Sequence, residues 1–283
     1  MNPSDQPVRF VDANGLRFAY LEWGNQGAPL VLMVHGFPDT PHSWAKIAPA
    51  IAAKGYRVVA PYTRGYAPSG MPKTDPISRE LGEDVVALIT ALGEKRAHLV
   101  GHDWGAEHVY AAVGLAPEKI ITLTAVAIPH RAAVKPTLGF AWALRHFVTL
   151  RFPGAEARFA KDDFAELEML IRRWSPTWKF TAEELEPIKQ SFRQPGTVHG
   201  ALGYYRASSV RVPSFMKNKV SVPTLNVAGG DDPSVTPATY EATRRHYTNE
   251  FEVAVIPGGH FCHCEAPDQF SEVLARFLAK PRP

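Results

Sequence analysis

The segment Gly101-His102-Asp103-Trp104-Gly105 is where this sequence first points to chemistry. It follows an apolar run, Ala97 to Val100, and precedes a helical pattern carrying Val109 and Ala112. Two glycines flanking one central residue between a strand and a helix allow a sharp turn that exposes the central side chain. That side chain is a carboxylate. Serine or cysteine here would mean acyl transfer, whereas a carboxylate attacks a saturated carbon and becomes an alkyl ester. The chemistry narrows to displacement of an epoxide oxygen or a halide. The other reading of Asp103, a helix N-cap, leaves the two glycines without a purpose.

An ester on Asp103 is hydrolysed through a tetrahedral intermediate on its own carbonyl carbon, so an oxyanion hole is needed. Val34-His35-Gly36-Phe37-Pro38 follows the first buried run, which lets the Phe37 N–H point toward the elbow and the Trp104 N–H act as the second donor. Pro38 stiffens that turn and admits a cis Phe37–Pro38 bond. Hydrolysis also needs a base. Of the 11 histidines, His260 lies in a Gly-rich turn just past the last apolar run, at the carboxyl edge of the sheet. His102 is expected to point away from the cleft and to be structural. The acid that orients His260 has two plausible positions. Ala127-Ile128-Pro129-His130 offers no carboxylate, while Gly229-Gly230-Asp231-Asp232-Pro233 offers two, of which Asp232 is selected because it ends the turn before proline. His260, Cys262, His263 and Cys264 crowd together, yet four ligands so close in sequence cannot converge on one zinc ion while the backbone stays folded. No metal and no cofactor is expected.

The elements that must hold these residues are legible in the apolar pattern. Runs at Leu30 to Val34, Arg57 to Ala60, His98 to Val100, Ile120 to Ile128, Thr224 to Ala228 and Phe251 to Ile256 read as buried parallel strands. Gly15 to Trp23 and the residues before it read as an antiparallel pair. Ile77, Leu81, Val85, Leu88 and Leu92, and near the end Phe270, Val273, Leu274, Phe277 and Leu278, recur at helical spacing and predict helices covering the sheet. From about Arg131 to Pro213 no buried-strand run appears. Trp142, Phe147, Phe152, Phe164, Leu170 and Trp174 recur there at helical spacing, which predicts a helical insertion well placed to cover a site at the carboxyl end of the sheet. The expected division is residues 1–130 and 216–283 as the two parts of one α/β core and residues 131–215 as a helical lid.

Composition excludes other classes. Among 283 residues, 45% are hydrophobic and 21% charged, the balance of a globular protein with a sizeable core. Lys plus Arg number 31 against 28 Asp plus Glu, a net charge of +3 with no basic stripe, so nucleic acid is not an expected partner. No run approaches the roughly 18 apolar residues of a membrane span. The N-terminal residues show no signal-peptide pattern, and the two cysteines, Cys262 and Cys264, read as reduced thiols, so a cytoplasmic location is expected. A homodimer is left open.

Taken in order, HGFPDT at His35, Arg64-Gly65-Tyr66, GHDWGA at Gly101, GGDDP at Gly229 and GGHFCHCEAPDQF at Gly258 resemble the α/β-hydrolase fold superfamily over nearly the whole chain, and most closely its epoxide hydrolases. The resemblance implies a mostly parallel twisted sheet with helices on both faces and a helical cap. It implies conversion of a small-molecule epoxide and water to a vicinal diol. Tyr62 departs from the family's usual Asp. The family supplies the ring-opening acid as two lid tyrosines. Here the insertion carries only the adjacent Tyr204 and Tyr205, which a helix points about 100° apart. Tyr205 matches the family's Tyr-Arg position. Where the other tyrosine is expected stands Arg145-His146-Phe147-Val148, so His146 becomes the second donor, similar to a bacterial branch in which a lid histidine works with a tyrosine. That branch carries an acid after the position of Ile128, and this chain does not.

Two other functions are weighed. Haloalkane or haloacetate dehalogenases use the same aspartate, histidine and acid. Haloalkane dehalogenases, however, often place Asn where this chain has Phe37, and fluoroacetate dehalogenases place Arg where it has Trp104. A non-catalytic ligand-binding protein on the same fold is expected to have lost part of Asp103, His260 and Asp232, and all three are present.

Overall fold

The computed structural model describes residues 6–134 and 145–282. Trp142 of the helical pattern lies outside them. Eight strands, β1 (Arg9–Ala13), β2 (Leu16–Trp23), β3 (Leu30–Val34), β4 (Arg57–Pro61), β5 (Ala97–His102), β6 (Ile120–Val126), β7 (Thr224–Gly229) and β8 (Phe251–Ile256), form one sheet in the order β1-β2-β4-β3-β5-β6-β7-β8. β1 and β2 pair antiparallel, as do β2 and β4, and every other neighbouring pair is parallel.

The continuous apolar runs follow from covering both faces. Leu32, Leu99 and Leu123 pack on one face with Val85, Leu88 and Ile89 of the helix Ser78–Ala91 and Val109 and Ala112 of the helix Trp104–Leu115. Their strand neighbours Val31 and Val100, with Leu225, turn to the other face, against Ile51 of the helix Ala48–Ala52 and Phe270, Leu274 and Phe277 of the helix Pro267–Leu278. Two strand expectations need correction. The run Ile120 to Ile128 stops being a strand at Val126, because Ala127 takes a positive φ of 65°. β8 is an edge strand, so only Phe251 and Ile256 of it are buried.

Between β6 and β7 the described residues form the helices His146–Thr149, Ala155–Trp174, Ala182–Phe192 and Thr197–Ala207. The second of these is broken at Lys161–Phe164, where Asp162, Asp163 and Phe164 adopt left-handed φ values. Asp163 there accepts hydrogen bonds from Lys189 and Arg193. Thr181 caps the third helix, accepting from Glu184 N–H while the Glu184 carboxylate accepts from Thr181 N–H. Phe159, Leu167, Ile171, Leu185 and Phe192 make the segment's own core, which runs into Phe37, Tyr66 and Trp104 at the carboxyl end of the sheet. Phe152 of the predicted apolar stripe is instead exposed. Both ends of the segment are tied to the helix Trp104–Leu115 by Arg131, whose guanidinium donates to Glu107 at 2.9 Å, to the Ser209 carbonyl at 2.7 Å and to the Arg211 carbonyl at 3.2 Å.

Candidate active site

The elbow forms because β5 runs into the helix Trp104–Leu115 through one strained residue, Asp103, at φ 52° and ψ −118°. A Cβ on Gly105 would stand 2.1 Å from the Val34 carbonyl oxygen, so only glycine lets the helix approach β3 this closely. The Asp103 carbonyl accepts from Ala106 N–H at 2.9 Å, as a helix-initiating residue does, but its side chain makes no cap hydrogen bond. The carboxylate faces two other elements. Its Oδ1 accepts from the Phe37 N–H at 2.8 Å, and its Oδ2 lies 3.3 Å from His260 Nε2. The Phe37–Pro38 bond is cis.

His260 follows β8, and its Nδ1 lies 3.1 Å from Asp232 Oδ2, past the end of β7. Asp232 Oδ1 accepts from the Ser234 N–H at 2.7 Å, which fixes the carboxylate's plane. Side-chain exposure falls from 14% at Asp103 to 6% at His260 and 1% at Asp232, so the nucleophile candidate is the member open to a ligand. Burial opposes charge on His260, but hydrogen bonds and attraction from the two carboxylates outweigh it and hold the imidazolium far above the ordinary histidine range. Burial likewise pushes Asp103 upward, and the His260 contact more than reverses it, leaving the carboxyl below its usual value.

The adjacent tyrosines separate as a helix requires. Tyr204 donates its hydroxyl to the Arg64 carbonyl at 2.6 Å and is committed there. Tyr205 packs edge-on against Phe37 at 5.0 Å and Trp104 at 5.3 Å between ring centroids, over the elbow. Burial and then the Asp103 charge push its hydroxyl well above the usual tyrosine value, so it stays protonated. His146 is buried, with its ring 5.8 Å from Tyr205 and 4.8 Å from Trp174. The departure at Tyr62 is absorbed by a hydrogen bond between its hydroxyl and His42 Nε2 at 2.8 Å.

His102 is fully buried behind the base, its Nε2 3.0 Å from the His260 carbonyl. Cys262 and His263 are buried apart from the His260–Asp232 contact. Among the described residues, the group whose donor atoms come close enough to suggest a metal is Asp39, His102 and His263, within 4.8 Å of one another. Asp39 Oδ2 and His102 Nδ1 are 4.0 Å apart, wider than the roughly 3.4 Å that tetrahedral zinc with bonds of about 2.1 Å imposes, so this set fits such an ion poorly. Burial raises the Asp39 carboxyl to about 7. The sequence reading missed Ser175, which holds the His260 turn, and took Phe147 only as part of the apolar stripe, whereas its ring lies 4.9 Å from that of Tyr205. Nothing in their spacing distinguishes them from packing residues.

Residues 29–267 match the α/β hydrolase fold family. The chain belongs to that family. Among α/β hydrolases it is 31% identical to epoxide hydrolase A of Mycobacterium tuberculosis, over 95% of this chain and 96% of that protein. It is 28% identical to a fluoroacetate dehalogenase from a Burkholderia species, over 97% and 94% of the two chains. The crystal structure of an epoxide hydrolase from Vigna radiata superposes with a TM-score of 0.83 at 27% identity, covering 98% and 99% of the two chains. The chain therefore sits in the group of α/β hydrolases that contains epoxide hydrolases and dehalogenases. Among the described residues no helix is long and apolar enough to cross a membrane.

Proposed function

We propose that this α/β hydrolase is an epoxide hydrolase. One observation carries the reading: the Tyr205 ring packs on Trp104 over the elbow that bears Asp103, and the His146 ring stands edge-on to it at 5.8 Å. An epoxide needs an acid to protonate its departing oxygen, whereas a departing halide needs N–H donors to hold it as an anion and is not protonated. Phe37 also stands where haloalkane dehalogenases often place Asn; Trp104, a residue those enzymes share, stands where fluoroacetate dehalogenases place Arg.

In this reading residues 131–215 act as the lid. Asp103 attacks one epoxide carbon, the C–O bond of the ring breaks, and Tyr205 with His146 stabilises and protonates the departing oxygen. A β-hydroxyalkyl ester of Asp103 remains. His260, no longer held charged by Asp103, gives its proton back to the Tyr205–His146 pair; now neutral and oriented by Asp232, it takes a proton from a water molecule whose oxygen attacks the ester carbonyl carbon. The Phe37 and Trp104 N–H groups hold the oxyanion. The acyl C–O bond breaks, the carboxyl so formed on Asp103 passes its proton to the diol's alkoxide, and Asp103 returns as a carboxylate beside a protonated His260. No step calls on a metal or cofactor.

A turnover panel tests the assignment, with aryl and alkyl epoxides beside haloalkanes and fluoroacetate. Diol formation from epoxides without comparable halide release is expected. Halide release exceeding diol formation assigns the same aspartate, histidine and acid to dehalogenation. Binding without turnover of either class fits a non-catalytic ligand-binding protein.

A further inference from the structure

The turn that carries His260 is held from outside the sheet. The helix Ala155–Trp174 ends against it: the Trp174 carbonyl accepts from the His260 N–H at 2.9 Å, and Ser175 Oγ accepts from the Phe261 N–H at 2.8 Å. Ser175 is fully buried, and its own N–H closes the helix on the Ile171 carbonyl at 2.8 Å. The approach is so close that a Cβ on Gly259 would stand 2.6 Å from both Ser175 Cα and the Trp174 carbonyl oxygen. A second strap lies beside the first. Thr177 donates to one oxygen of Glu265 at 2.6 Å while the Gly259 N–H donates to the other at 2.6 Å.

We propose that Ser175 is a positioning residue for His260, through which the end of a helix of the 131–215 segment sets the rate of ester hydrolysis but not of ring opening. The inference rests on the covalent reading above. Its physical basis is that backbone donors on both sides of the His260 Cα find their acceptors in Trp174 and Ser175. Unmaking one leaves a buried N–H unpaired and lets the turn shift. His260 works only in the second half of the reaction, where an ångström of misplacement is costly. Asp103 and Tyr205, which act in the first half, are not among the hydrogen-bond partners of Ser175, which among the described residues are Ile171, Trp178 and Phe261.

Rapid-quench kinetics with styrene oxide and intact-mass detection separate the two halves. In full-length Ser175→Ala, ring opening within about twofold of wild type and ester hydrolysis slowed by about tenfold are expected, so that adduct accumulates and kcat falls while kcat/KM holds. Gly259→Ala, which pushes the turn off Ser175, is expected to show the same split. Lys46→Ala, which breaks a surface ion pair to Glu184 of the same segment away from His260, is expected to leave both rates unchanged. Equal slowing of both halves in folded Ser175→Ala, or no slowing of either, overturns the proposal. Absence of any adduct on Asp103 in His260→Gln overturns the covalent reading itself, and with it this inference.

Discussion

His260 Nε2 stands 3.3 Å from Asp103 Oδ2, so the imidazole is bound by the very carboxylate whose ester it is proposed to hydrolyse. The pairing holds His260 charged in the free protein, with its value raised to about 10. The stability this contributes is complete below the unfolded histidine value near 6.5 and is lost as pH rises through the folded one. On the proposed route, alkylation neutralises Asp103 and removes one of the two anions that hold the proton, so the base is released by the step that precedes its use.

Asp103→Asn imitates that neutralisation. The His260 ring is expected to titrate at a lower pH in this variant than in wild type, read by NMR of ring-labelled histidine, with intact mass excluding deamidation. An unchanged or higher titration point contradicts the electrostatic linkage.

The ring-opening donors can be removed singly. Tyr205→Phe is expected to slow adduct formation by about 10²- to 10⁴-fold, with a smaller loss for His146→Phe and unaltered hydrolysis of adduct already formed. Adduct formation at the wild-type rate in both variants sinks the donor assignment without touching Asp103 or His260.

Asp39 offers a test of burial, which raises its carboxyl against the opposing hydrogen bonds from Thr40 and Ser43. Its carboxyl is raised from 3.8 to about 7, the reverse of the usual carboxylate case. The neutral form contributes fully below the unfolded value, and the contribution is lost as pH climbs through the folded one. Asp39→Asn, which never ionises, is therefore expected to gain in Tm over wild type from pH 5 to pH 8. A difference that is flat or shrinks across that window contradicts the account.

Gly105→Ala drives a methyl to 2.1 Å from the Val34 carbonyl oxygen, backbone against backbone. A loss of more than about 3 kcal/mol, on the order of 10 °C in Tm, or failure to fold is expected. A Tm within about 2 °C of wild type contradicts the close approach of helix and strand.

The fold class was legible because a sheet covered on both faces makes its strands apolar at consecutive positions, as Leu30–Val34 shows with every residue buried. The elbow was legible because glycine is the residue that tolerates contact between helix and strand. The end of β6 was not, since Ala127 and Ile128 stay apolar after the backbone has turned. Tyr205 could be separated from Tyr204 by helix geometry, but which face looks inward came from a family resemblance and not from periodicity. Ser175 lay out of reach: it meets Phe261 across 86 residues, and a serine that caps a distant N–H looks in sequence like any serine at a helix end.

The central claim is that an Asp103 oxygen bonds to carbon. A single turnover of epoxide by excess enzyme in ¹⁸O-labelled water tests it, with the diol and the Asp103 peptide analysed by mass. The account predicts unlabelled diol and one heavy oxygen in the Asp103 carboxylate. Heavy oxygen in the diol after that first turnover, with Asp103 unlabelled, contradicts it.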